Sequence, residues 1–373
     1  MVDDLLVSAD DHIDMRYLPR DLWDTRVPAA ARDAMPHVEV TPRGLAWLCG
    51  DQFWGLWGTA RATDVPLKSA LERGGVFEEG VLRPTVPALR LADMDRDGVY
   101  ATVMYGPVAP LLVHDPAMRQ LCYAAYNDWL VEFCAAEPRR LIGVGLLPAD
   151  DPALATRELE RAAMLGLRHV VLLAAAADPP LYHPAWEPFW AAAAETGLPI
   201  GMHLLVGPRP SHPEVLPVAT AAIAGTQVQL QLIDPLVGLI FAGVLERHPG
   251  VRLVLAEAGI GWIPYVLERM DHEHDKYLEA REGWEHRGGI PLTMRPSEYF
   301  RRQVWATFQD DPAGLGLLDM IGADRVMWAS DYPHPDSTWP YSRRVIDAQM
   351  SALPAATRRQ ITHDNAAALY GLS

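Results

Sequence analysis

Short, nearly continuous apolar runs recur along the chain, separated by longer stretches whose apolar residues repeat at helical spacing. The runs are Leu5–Val7 (leading into His12), Val99–Tyr105, Leu141–Leu147, Arg168–Leu173, Pro199–Leu204, Arg252–Glu257, Gln303–Phe308 and Arg325–Ser330. Between them lie predicted helices over 90–97, 118–136, 153–165, 185–196, 236–247, 263–277 and 315–321, with two more at the C-terminus. Several helices stop at a glycine before the next run (Gly98, Gly166, Gly197, Gly250), the usual C-terminal signal. Apolar strands alternating with helices predict a parallel sheet covered on its outer face. Eight such repeats predict an α/β fold of the (β/α)8 TIM-barrel type. A doubly wound open sheet is the alternative, but no glycine-rich phosphate loop follows any strand.

Residues 14–87 break the alternation. They are rich in Pro, Gly and Trp (Trp23, Trp47, Trp54, Trp57) and show no sustained period. A structureless loop of that length does not suit a compact domain. The segment is therefore expected to be a folded insertion capping the end of the first strand, its tryptophans forming local core. The whole chain, 1–373, reads as one barrel domain.

Composition narrows the function classes. The chain has 373 residues, half of them apolar, and a net charge of −16. No Lys/Arg run interrupts that negative balance, which argues against nucleic-acid or anionic-membrane partners. Cys49, Cys122 and Cys134 share no metal-type spacing, and their odd number suits a reducing compartment. The start of the chain shows no basic-then-apolar signal pattern. The longest apolar stretch, 223–245, carries Gln227, Gln229, Gln231, Asp234 and Pro235, too polar a load for a membrane span. A cytoplasmic protein is expected. The apolar helix Leu236–Leu245 and the final helix suggest a homo-oligomer.

Barrel enzymes carry their chemistry at the C-terminal ends of the strands. The first strand ends in Asp10-Asp11-His12, and residues two apart on a strand share a face, so Asp10 and His12 project together. The fifth strand ends in His203, the sixth in Glu257, and the eighth runs into Asp331 and then His334. Each alone reads as a helix cap or a structural histidine. Together, donors at the same end of four strands predict a metal site of Asp10, His12, His203, Glu257 and Asp331. Two imidazoles and three carboxylates form a hard donor set, suited to iron or manganese more than to structural zinc, and numerous enough for two ions. Glu257 could instead cap the following helix or act as a base. His334, Trp339, Tyr105 and Arg209, with His212, are candidate substrate contacts. His272 and His274, in an acidic helical segment, read as solvated surface.

The motifs Ser8-Ala9-Asp10-Asp11-His12, Glu257-Ala258-Gly259-Ile260-Gly261-Trp262-Ile263-Pro264-Tyr265 and Ser330-Asp331-Tyr332-Pro333-His334 resemble those of the amidohydrolase superfamily, in its amidohydrolase-2, decarboxylase-like branch. The resemblance implies a metal held by Asp10, His12, His203 and Asp331. Two departures stand out. The fourth strand ends Leu172-Leu173-Ala174-Ala175, lacking the lysine or glutamate that bridges dinuclear hydrolases, and Glu257 replaces the histidine usual in hydrolases and decarboxylases of this branch. The carboxylate-rich set directs the leading expectation to the superfamily's non-haem diiron monooxygenases. That reading implies two irons, O2, a bulky apolar substrate carried as a coenzyme A thioester, and a ferredoxin-type electron donor. The alternative is metal-dependent hydrolysis or decarboxylation of a small carboxylate or cyclic substrate, with zinc or manganese and with Asp331 shuttling the proton. A non-catalytic scaffold is a third reading, but degenerate members lose their ligands and this chain keeps a full set.

Overall fold

The computed structural model describes residues 5–58, 82–107, 111, 113, 115–205, 216–279, 292–334 and 336–372. Eleven strands fall among them. Eight form one parallel sheet in the order β1 (Leu6–His12), β5 (Val99–Tyr105), β6 (Leu141–Leu146), β7 (His169–Leu173), β8 (Ile200–His203), β9 (Leu253–Ala256), β10 (Val304–Phe308) and β11 (Val326–Trp328). These are the eight predicted strands, with ends shifted by no more than a few residues. Beyond the last strand the backbone ties back to the first: Asp331 N–H donates to the Asp10 carbonyl at 3.0 Å and His12 N–H to the Tyr332 carbonyl at 2.7 Å. The sheet thereby nearly closes into a TIM barrel. Every strand residue from β5 to β11 is buried apart from Tyr100 and Trp305, as a sheet sandwiched between barrel interior and helices requires.

The glycine stops are of two kinds. Gly98, Gly166 and Gly197 sit in the left-handed region, at φ 75°, 79° and 64°, where a side chain is disfavoured. Gly250 does not. It is small because a Cβ there would come within 3.0 Å of the Ala194 carbonyl oxygen.

The described residues of the insertion, 14–58 and 82–87, are folded. They contain a three-stranded antiparallel meander, β2 (His37–Thr41), β3 (Gly44–Cys49) and β4 (Gln52–Leu56), invisible to periodicity because its strands are short and partly exposed. Trp23 and Trp47 are fully buried, edge to face at 5.0 Å. The indoles of Trp47 and Trp57 donate to the Met15 and Leu18 carbonyls, fastening the meander to the segment that leaves β1.

The predicted helix 236–247 is two helices, Ile233–Phe241 and Val244–Arg247, broken at Gly243 (φ 73°). Its apolar side chains Leu236, Leu239, Ile240, Val244 and Leu245 are in the protein's own core, as are Ala366, Leu369 and Tyr370 of the last helix. Most of the residues that suggested an oligomer are thus already buried within one chain, Phe241 at 37 % exposure being the exception and Val237 and Ala242 half-buried. The apolar stretch 223–245, read from the sequence as a buried or subunit-facing helix, begins within helix Pro217–Val228, which exposes Val218 and Ile223, with Leu216 and Leu230 exposed nearby. Residues 218–241 form one stretch long and apolar enough to cross a membrane by length and composition, with a third of its most apolar 18-residue window buried in the fold.

Candidate metal centre

The site is built first by a local irregularity in β1. Against β5, Ser8 pairs with Thr102 but Asp11 pairs with Met104, so β1 carries one extra residue between them. Such a bulge re-aims side chains at a strand end. Asp10 and His12 turn into the barrel mouth while Asp11 turns outward, all three with at most 2 % exposure. His203 ends β8, Glu257 follows β9 directly, and Asp331 stands three residues beyond the end of β11. Glu257 and Asp331 are the only non-glycine residues with positive φ (55° and 60°) among the described residues. Their backbones turn through a conformation that L side chains disfavour, and such strain concentrates at functional sites.

The five predicted donors gather around His12 and His203. His12 Nε2 lies 3.5 Å from Asp10 Oδ1, 3.5 Å from Glu257 Oε2 and 3.2 Å from Asp331 Oδ1. His203 Nε2 lies 3.2 Å from Glu257 Oε2 and 3.8 Å from Asp10 Oδ1. Ligands at about 2.1 Å from one octahedral ion stand roughly 3 Å apart along each edge. The observed contacts are of that order, and the donors fall into two overlapping groups that share His12: Asp10, His12 and His203, and His12, Glu257, Asp331 and His334. Asp10 Oδ1, His12 Nε2, His203 Nε2 and both Asp331 carboxylate oxygens are buried without a hydrogen-bond partner. Buried polar atoms are rarely left so, and a cation between them would satisfy all of them.

Second contacts aim these donors. His203 Nδ1–H donates to the Leu204 carbonyl at 2.7 Å, which leaves the Nε2 lone pair facing inward. Thr307, on β10, donates through Oγ1 to Asp10 Oδ2 at 2.9 Å and accepts from the Glu257 N–H at 2.8 Å, joining a donor on β1 to one after β9. His334 stacks on His12 at 3.8 Å; its Nδ1 is 3.0 Å from Asp331 Oδ1 and its Nε2 is 3.2 Å from Asp14 Oδ1.

The protein's own charges set the titration of the cluster. Burial lowers the affinity of His203 for a proton, but its hydrogen bonds and attraction to Asp10 and Glu257 prevail and push its pKa up to about 10. Burial opposes ionisation of Glu257, yet the two histidines hold it well below the ordinary carboxylate range. Asp331 is raised, by burial first and by the Glu257 charge. Burial also acts against Asp14, but His334 brings it down to about 2. Desolvation opposes the charge on half-buried His334, but Asp331 and Asp14 beside it hold it well above the ordinary imidazole value.

The predicted substrate contacts fare differently. His334 is in the site. Tyr105 lies under it as a floor, its ring 5.1 Å from that of His203, while its hydroxyl donates down the barrel to His169 Nε2 at 2.8 Å. Trp339 is not in the site: it is 3 % exposed, packs edge-on against Tyr332, and its indole donates to the Asp93 carbonyl on helix Pro87–Asp97. Arg209 and His212 lie outside the described residues. Of the pair read as solvated, His272 is exposed but His274 is buried, with neither ring nitrogen hydrogen-bonded. Sequence reasoning missed Asp14, Thr307, Asp11 and Arg90. Only Asp11 and Asp14 carried a signal, their closeness to the first motif.

A pattern characteristic of the amidohydrolase family matches residues 79–372. The chain belongs to that family. It is 30 % identical over 269 residues to the gamma-resorcylate decarboxylase of Rhodococcus jostii, covering 66 % of this chain and 75 % of that one. Among solved structures it resembles 5-carboxyvanillate decarboxylase from Sphingomonas paucimobilis (TM-score 0.68, 23 % identity, 99 % of each chain). It also resembles a dihydroxybenzoic acid decarboxylase from Polaromonas with bound manganese and an inhibitor (TM-score 0.64, 20 % identity, 99 % of this chain and 97 % of that one). These relatives overturn the diiron monooxygenase expected from the sequence, and with it the paired irons, O2, coenzyme A thioester and ferredoxin-type donor. The physical reason is in the cluster. A carboxylate-rich donor set was taken as enough for two ions, but both groups of donors close enough to hold a cation, Asp10–His12–His203 and His12–Glu257–Asp331–His334, draw on the same His12.

Proposed function

We propose that the protein is a metal-dependent decarboxylase of a hydroxylated aromatic carboxylate. One divalent cation, manganese in the first instance, would be held by Asp10, His12, His203, Glu257 and Asp331. The observation that carries the reading is the set of buried, unpartnered donor atoms converging at the barrel mouth. The decarboxylase relatives support the reaction class, and the hard, oxygen-rich donors suit manganese.

When bound, the cation supplies Lewis acidity to a substrate oxygen and anchors the anionic substrate. The protein's residues supply the rest. Loss of CO2 from an aromatic ring leaves a pair of electrons on carbon, which must receive a proton. Asp331 stands at the mouth, and His334 Nδ1 meets its Oδ1 at 3.0 Å. Asp331 would deliver the proton to the ring carbon and His334 would replace it, its imidazolium steadied by Asp14 on the far nitrogen. Thr307 holds Asp10 in place, and the Tyr105 ring closes the floor beneath His203.

The test is turnover of a panel of hydroxybenzoates by manganese-loaded protein in D2O, followed by mass spectrometry. The expected product has lost CO2 and carries one deuterium at the vacated carbon. An untouched panel, with esters, lactones or amides hydrolysed by the same preparation, would overturn the proposal.

A further inference from the structure

Asp11 and Arg90 face away from the donors, yet the ends of β1 and β11 meet on them. Asp11 Oδ1 accepts from Ser8 Oγ at 2.7 Å, Ser330 Oγ at 2.6 Å and the Tyr332 N–H at 3.1 Å. Its Oδ2 accepts from Thr102 Oγ1 and from Arg90 Nη2, the latter at 3.4 Å. Arg90 has no solvent exposure. It donates through Nη1 to the His12 carbonyl at 2.9 Å and through Nη2 to Thr102 Oγ1 at 3.3 Å, and its guanidinium lies 4.7 Å from the centre of the Tyr332 ring.

Two donors of the cluster are therefore gripped through their backbones. His12 is held at both ends of its backbone, its N–H on the Tyr332 carbonyl and its carbonyl on Arg90. Asp331, in its left-handed conformation, lies between Ser330, whose hydroxyl is bound to Asp11, and Tyr332, whose N–H is bound to the same oxygen. A buried ion pair is a costly way to fill space, and apolar residues of similar volume commonly serve stability as well or better. What apolar residues could not do is accept three donors on one atom and fix the His12 carbonyl.

We propose that Asp11 and Arg90 are positioning residues for the metal centre, locking His12 and Asp331 into the geometry in which their donor atoms meet. The inference rests on the reading that a divalent cation binds there. It is tested with manganese alone on the full chain without substrate, reading the dissociation constant from the electron paramagnetic resonance of free Mn2+ beside the melting temperature of the metal-free protein.

Arg90→Lys keeps a charge but loses the fork, and it should weaken manganese binding 10- to 100-fold, the range typical of contacts behind metal ligands. Ser330→Ala removes one donor to Asp11 and should weaken binding several-fold. Arg161→Met breaks an ion-pair group far from the mouth, with Glu158 and Asp128, and should lower the melting temperature while leaving the manganese constant unchanged. Wild-type manganese affinity in folded Arg90→Lys and Ser330→Ala would overturn the proposal. If Arg90→Lys does not fold, Ser330→Ala decides alone: a several-fold loss supports it and an unchanged constant overturns it. A wild-type protein that does not bind manganese would bring down the metal reading itself, and this inference with it, a result distinct from normal binding in the variants.

Discussion

Asp331 and Glu257 show what the site costs residue by residue. Each holds a left-handed backbone, worth on the order of 1–3 kcal/mol of strain, and the Glu257 charge works against ionisation of Asp331. Asparagine tolerates that backbone better than other non-glycine residues and removes one of the like charges. Asp331→Asn should therefore stabilise the metal-free protein, by about 1 kcal/mol, while abolishing manganese binding. Thermal unfolding with and without manganese checks both halves; a variant that melts lower than wild type without metal would refute the strain argument. Glu257→Gln separates donor from cap. If Glu257 is a fifth ligand, the amide should weaken manganese binding by at least tenfold at equal fold stability, whereas a helix-capping role would leave the constant where it was.

The strands carry the donors, and one strand carries only a hinge between donors. β10 places no candidate ligand, but Thr307 links Asp10 to the backbone of Glu257. Thr307→Val keeps the branched shape that suits the strand and deletes both hydrogen bonds. It should leave the barrel folded and cost roughly 10- to 100-fold in manganese affinity, measurable by calorimetric titration. The elements also show what could be read in advance. The eight barrel strands were legible because buried parallel strands are continuous apolar runs, and the donors because they end those runs at Asp10, His12, His203, Glu257 and Asp331. Thr307 was not legible: a threonine in a β-branched run looks like any strand former. Arg90 read as an ordinary charged position of helix Pro87–Asp97, since its burial comes from contacts 78 and 79 residues away in sequence. The meander at 37–56 was hidden by short strands with mixed exposure, and Trp339 misled because an aromatic in an active-site loop can as well pack backwards, here onto Asp93.

Across the whole molecule, the cluster couples metal, protons and stability. His203, with a pKa of about 10 against about 6.5 in an unfolded chain, binds its proton more tightly in the native state. The stability this contributes to the metal-free protein is complete below pH 6.5 and is lost as pH rises through 10. Metal binding requires the same Nε2 to be unprotonated, so the cation must expel that proton. His12, also raised, although burial and the neighbouring His334 act against it, adds to the effect in the same direction. Manganese affinity should therefore rise with pH, by about tenfold per unit for each proton displaced, over the range between pH 6.5 and 9. Stabilisation by a fixed manganese concentration should follow, reaching about 2.7 kcal/mol once the metal stands at a hundred times its dissociation constant. Melting temperatures measured over that pH range, with chelator and with manganese, should diverge steadily: the chelated protein falls and the loaded protein holds. Parallel curves would mean that His203 gives up no proton to the metal, and would remove it from the ligand set.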